Sequence, residues 1–168
     1  MRQSIIISLL LLSNLVFGQD LEKQKAGINN EVERISKQTN LREVNFSIPE
    51  LKKSLRYISY QYLEAPKGFV KISRQFSEKK DTIRQTFYIE DGLLIYATEK
   101  IISCSPGKNS TDTSIWSGNF YFSKGKLIDH VTLGHGKSEQ EDWIPGQEML
   151  TAFSESKRDI QRYKTKTR

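Results

Sequence analysis

Between residues 69 and 133 apolar and polar positions alternate with a period of two, and on both flanks the period lengthens to that of a helix. Residues 69–77, 82–90, 93–103, 114–123 and 126–133 read as strands. They are separated by Glu78-Lys79-Lys80-Asp81, Asp91-Gly92, a polar loop over 105–113, and Lys124-Gly125. Asp-Gly between alternating runs is the strongest short hairpin signal in the chain. Gly134-His135-Gly136 ends the run, and residues 137–142 form a charged loop.

Upstream, Leu21, Ile28, Val32 and Ile35 make one helical stripe over residues 20–39, with Asp20 placed to cap its start and Asn40 to stop it. Glu33 and Lys37 stand four apart in the favourable acid-first order. Ser47-Ile48-Pro49-Glu50 has the form of a capping box. It predicts a short helical turn near 48–53, before the strand-favouring run Tyr57-Ile58-Ser59-Tyr60-Gln61-Tyr62. Downstream, Met149, Phe153, Ile160 and Tyr163 form a second helical stripe starting near Gly146. Glu148 at its positive end and Arg162 and Lys164 at its negative end suit the macrodipole. The expectation is an α+β domain: an N-terminal helix, an antiparallel meander of five or six strands, and a C-terminal amphipathic helix.

The meander repeats itself. Phe87-Tyr88-Ile89-Glu90-Asp91-Gly92-Leu93-Leu94-Ile95 aligns with Phe120-Tyr121-Phe122-Ser123-Lys124-Gly125-Lys126-Leu127-Ile128. Tyr62, Gly68, Phe69, Val70 and Ile72 form a looser third copy with a longer turn. Gly68, Gly92 and Gly125 are thus assigned as structural turns, because a positive φ is opposed by a Cβ. At these residues the chain resembles small exported proteins of Gram-negative bacteria in which Tyr-Tyr-Phe-x-x-Gly-Lys-Leu hairpins repeat behind an N-terminal helix. The resemblance covers residues 20–135 and departs from tandem MORN-type repeats, which keep a stricter period. It implies a fold and a compartment outside the cytoplasm, and it supplies no catalytic residues.

The first eighteen residues change the picture most. Arg2, an apolar stretch over 5–16 and the small residue Gly18 follow the order of a secretory signal. The stretch is shorter than the ~20 residues that span a bilayer. Residues 1–18 are therefore read as a signal peptide, and 19–168 as one exported domain, periplasmic or extracellular, without a transmembrane segment. About 150 residues can bury a core without disulfides. None can form internally, since Cys104 is the only cysteine; it is expected as a small buried residue at a strand end. The net charge of +6 is concentrated in residues 157–168, which hold Lys157, Arg158, Arg162, Lys164, Lys166 and Arg168 against Asp159. With the rest near balance, nucleic-acid binding is not expected. A basic C-terminal tail over 164–168 is left to contact an anionic surface.

Motifs for chemistry are sparse. Gly134-His135-Gly136-Lys137-Ser138 ends like a phosphate-binding loop, but Val131 occupies the position of the required first glycine. His130 and His135 are the only histidines, and on a strand Asp129 and His130 diverge. A metal site would need further ligands from Glu139, Glu141 or Asp142, and no nucleophile elbow is present. No catalytic, cofactor-binding or metal-ligating residue is assigned, and no cofactor is expected. Trp116, Phe120 and Phe122 share one strand face, which leaves Tyr57, Tyr88, Tyr96 and Tyr121 as a candidate outer surface for a protein or envelope partner. The expected function is non-enzymatic binding through a sheet face or an edge strand. The alternatives are a small envelope hydrolase with an unmarked cleft, or a peripheral surface protein held by its basic tail. A cleft joining a histidine to buried carboxylates favours the hydrolase, an aromatic face favours binding, and a contiguous cationic strip favours the surface protein.

Overall fold

A computed structural model describes residues 2–49, 57–103 and 113–167. The chain divides into two units, residues 1–37 and 38–168. The first is helix α1, Arg2–Lys37. It is continuous through Asp20, so Asp20 is no cap; its Oδ2 instead accepts a hydrogen bond from Gln24 Nε2 at 3.0 Å. The anticipated Glu33–Lys37 pair forms at 2.5 Å on an exposed face, where such pairs contribute ~0.3–0.5 kcal/mol. No helix among the described residues is long and apolar enough to cross a membrane.

Among its described residues the second unit is a seven-stranded antiparallel sheet in chain order, with one α-helix on it. Its strands are β1 Arg42–Pro49, β2 Tyr57–Ala65, β3 Gly68–Glu78, β4 Asp81–Glu90, β5 Leu93–Ser103, β6 Thr113–Ser123 and β7 Lys126–Gly134. A single 3₁₀ turn, Lys137–Glu139, precedes helix α2, Pro145–Lys166. The count exceeds five or six because β1 is a strand. Ser47, Ile48 and Pro49 pair with Ser59, Ile58 and Tyr57, so the anticipated helix start is overturned. The alternation Val44, Phe46, Ile48 prevails over the capping box, since those three side chains pack against the core. Pro49 is tolerated because β1 is an edge strand. Residues 50–53 of that anticipated turn, Cys104 and most of the 105–113 loop lie outside the described residues.

The glycine turns have the expected backbone. Asp91 and Gly92 take φ 48° and 79°, and Lys124 and Gly125 take 50° and 75°, the positive pair that a two-residue hairpin requires. Gly68 opens β3 at φ 128°. Gly92→Val and Gly125→Val should each lower stability by more than ~1 kcal/mol through backbone strain alone, because a Cβ at either position meets nothing within 4 Å. Thermal midpoints unchanged in both variants would contradict this. The repeat extends to a defect: register shifts fall between Leu63 and Glu64, Tyr88 and Ile89, and Tyr121 and Phe122, the same place in all three copies.

Alternation sorts the side chains onto two faces. Tyr60, Tyr62, Ile72, Phe87, Ala97, Trp116, Phe120 and Phe122 are buried on the inner face. Helix α2 lays Met149, Ala152, Phe153 and Ile160 into the same cluster, matching the predicted stripe. Each large buried side chain contributes ~1.5–3 kcal/mol of transfer free energy. At the far end Tyr163 stacks on Phe46 with centroids 4.0 Å apart, and Lys164 pairs with Glu64. The start of the basic tail is therefore packed helix, with Lys164 Nζ 4.7 Å from the centre of the Phe69 ring.

Candidate functional site

The outer face is built from transverse rows. Lys71, Tyr88, Tyr96, Tyr121 and Asp129 stand opposite one another on β3 to β7. The three tyrosine rings pack in series, with centroids 5.8 Å and 5.0 Å apart. Tyr96 Oη donates to Asn119 Oδ1 at 3.0 Å, and Lys71 Nζ lies 5.4 Å from the Tyr88 ring. Burial, followed by its two tyrosine neighbours, pushes the Tyr96 phenol up to about 12. Tyr57 does not join them. The row reaches β2 at Leu63, six residues and about 20 Å along the strand from Tyr57.

The next row is neutral: Asn45, Gln61, Ser73, Thr86, Thr98 and Asn119, ending at Val131. Over its β1–β4 half the outer face holds a depression of about 720 Å³ lined by Asn45, Gln61, Ser73, Gln75, Arg84 and Thr86. Towards β7 the face turns apolar, with Ile115, Val131 and Leu133 exposed by 42, 52 and 77 %.

A second concavity of about 510 Å³ opens on the inner face, between β3–β4 and the first half of α2. Its floor is a row of polar residues where the apolar parity of the strands would place hydrophobic ones. Arg74, Gln85 and Glu99 are all buried and stand opposite one another on β3, β4 and β5. Arg74 Nε donates to Gln85 Oε1 at 2.5 Å, and Gln85 Nε2 donates to Glu99 Oε2. Lys137 closes the row, with Nζ 2.6 Å from Glu99 Oε1 and also against Glu148. Trp143 Nε1 donates to Glu148 Oε2 at 2.8 Å, and Arg74 Nη1 reaches Glu155 at 3.4 Å. Burial alone would lower the Lys137 pKa; Glu99 and Glu148 outweigh it and raise it. The cluster can hold charge in place, and it presents carboxylates of Glu148 and Glu155 at the cleft.

The residues of the phosphate-loop lookalike serve this packing. Gly136 lies against Trp116, where a Cβ would come 3.2 Å from the indole, and Ser138 Oγ accepts from Trp116 Nε1 at 3.3 Å. Neither histidine reaches the cleft. His130 stacks on Phe120 and meets Trp143 edge-on at 5.7 Å, while exposed His135 pairs with Glu139 at 2.6 Å. Among the described residues no group of three or more His, Cys, Asp or Glu is disposed to hold a metal.

Sequence reasoning missed the polar row, although its signal was present. Arg74 lies between Ile72 and Phe76, Gln85 between Ile83 and Phe87, and Glu99 between Ala97 and Ile101, a polar residue at the apolar parity of three consecutive strands.

Three protonations are tied to the fold. Burial first, and then the hydrogen bond to Asp159, raises the Tyr60 pKa; Tyr96 and Lys137 are raised as described. A group whose pKa is raised on folding stabilises fully below its unfolded value and loses that contribution as pH climbs through the folded one. Thermal stability should therefore hold up to about pH 10, the ordinary tyrosine value, and fall above it. Phenolate absorbance should show two tyrosines ionising late, together with unfolding; a full complement titrating near pH 10 in the folded protein would contradict this.

No family model, curated protein or solved structure matches this chain.

Proposed function

We propose that this chain is an exported, non-enzymatic domain that binds a partner through the outer face of its sheet, at the end formed by β4 to β7. The carrying observation is the convergence there of the Tyr88–Tyr96–Tyr121 row with the exposed Ile115, Val131 and Leu133. Scattered exposed apolar residues need no explanation, but a contiguous set beside an edge strand marks an interaction surface. The order of charge, apolar stretch and small residue at 1–18 supports export, and N-terminal sequencing should find Gln19 or Asp20 first. A photo-crosslinking side chain at Val131 should give a defined crosslink in the cell, and one at Ser154, exposed on α2, should not. The reverse pattern would overturn this reading.

One observation favours a second reading. Arg158, Arg162 and Lys166 are exposed and four apart on α2, a cationic strip about 12 Å long. If this strip is the working surface, binding to anionic vesicles falls with salt and with substitution of these three residues.

A further inference from the structure

The two edges of the sheet are unlike. β1 carries Arg42, Glu43 and Pro49, and its outward side chains Glu43, Asn45 and Ser47 are polar, the usual protections against strand addition. From His130 to Gly134, β7 has neither a charged residue nor a proline, and it displays Val131 and Leu133 outward beside Ile115 of β6. Among the described residues it has a neighbouring strand on one side only.

We propose that β7 pairs antiparallel with β7 of a second copy of this chain about a twofold axis at Thr132, joining two seven-stranded sheets into one. This rests on the reading that the domain binds through the β7 end of its outer face, and it names the partner.

Register discriminates between the possible axes. Residues directly opposite in an antiparallel pair share a face, so outward residues must meet outward ones. An axis at His130 sets Asp129 against Val131, and an axis at Val131 sets Asp129 against Leu133; both place a carboxylate on an apolar side chain. The axis at Thr132 sets Val131 against Leu133 on both sides, with Ile115 of each copy alongside. Six apolar side chains then cover one another, and inward-facing Thr132 meets its own hydroxyl counterpart.

Charge agrees with this register. Two chains of net positive charge repel, and the paired stretch brings no like charges together. Beyond it the chain leaves the strand at Gly134, where φ is 94°, so the pairing ends there. Such a contact is isologous and closes on itself, as a dimer interface must.

The test uses the protein in the form cells accumulate, in a Cys104→Ser background. Thr132→Cys should form a disulfide-linked dimer on mild oxidation. Val131→Cys and Leu133→Cys should crosslink poorly alone and efficiently when mixed. By sedimentation the parent protein should be dimeric, and Leu133→Glu should weaken dimerisation at least about tenfold. Its thermal midpoint at dilution should not change, because Leu133 is exposed. A monomer at millimolar concentration, a dimer indifferent to Leu133→Glu, or self-crosslinking at Val131 or Leu133 rather than Thr132 would overturn the proposal. A monomer that still crosslinks through Val131 to a different protein would also overturn it, while leaving the outer-face reading standing.

Discussion

Lys137→Met should destabilise the fold by about 3–5 kcal/mol, the cost of leaving a buried charge without its partner. Glu99 is wholly buried, and its Oε1 has no directed hydrogen bond, so that oxygen depends on the Lys137 ammonium 2.6 Å away. Glu148 is less vulnerable, being partly exposed and still held by Trp143 Nε1. Adding Glu99→Leu should recover at least half of the loss, since removing both charges also removes their desolvation cost. The recovery stays incomplete because Gln85 Nε2 then lacks its acceptor. Denaturant titration of the three proteins decides the matter; a single variant within about 1 kcal/mol of wild type would show that Glu99 does not rely on Lys137.

Gly118→Val should cost about 3 kcal/mol, for a reason opposite to that at the turn glycines. A Cβ at Gly118 would stand 2.6 Å from Phe120 Cζ and 2.9 Å from Trp116 Cη2. Both rings are fully buried and cannot swing aside. The substitution therefore forces the inner face apart where Trp116, Phe120 and Trp143 meet. Altered tryptophan fluorescence should accompany the lost stability, and wild-type fluorescence with an unchanged midpoint would refute the packing described here.

The contrast between these glycines parallels what could be read in advance. Gly92 and Gly125 act through their own backbones, and a local pattern of turn residues between alternating runs is enough to find them. Strands β3 to β7 and helix α2 were legible for the same reason. Each carries its period within its own length, and all but β7 bury the face that the period marks. Gly118 and the Arg74–Gln85–Glu99–Lys137 row act through neighbours remote in sequence, and their partners become visible only in register. β1 was misread because two local signals competed. The Ser47–Glu50 box is a plausible helix start in isolation, and only pairing with Ile58 and Tyr60 decides for the strand. The tyrosines divide in the same way. Tyr88 and Tyr121 recur in the repeat and Tyr96 lies directly between them, whereas Tyr57 shares their face but not their level.

The strictly sequential order of the sheet has a kinetic consequence. Every strand pairs with its neighbour in the chain, so each pairing closes only a short loop and incurs little entropy. Such a sheet can zip up hairpin by hairpin, each register set by its own turn. Helix α2 is different: its Tyr60–Asp159 and Glu64–Lys164 bonds span 99 and 100 residues. Its docking must wait for nearly the whole chain, and until then Arg74, Gln85 and Glu99 lack the cover of α2. A sheet that forms before α2 docks is therefore expected to keep its charged floor hydrated until Lys137 and Glu155 arrive to meet those charges.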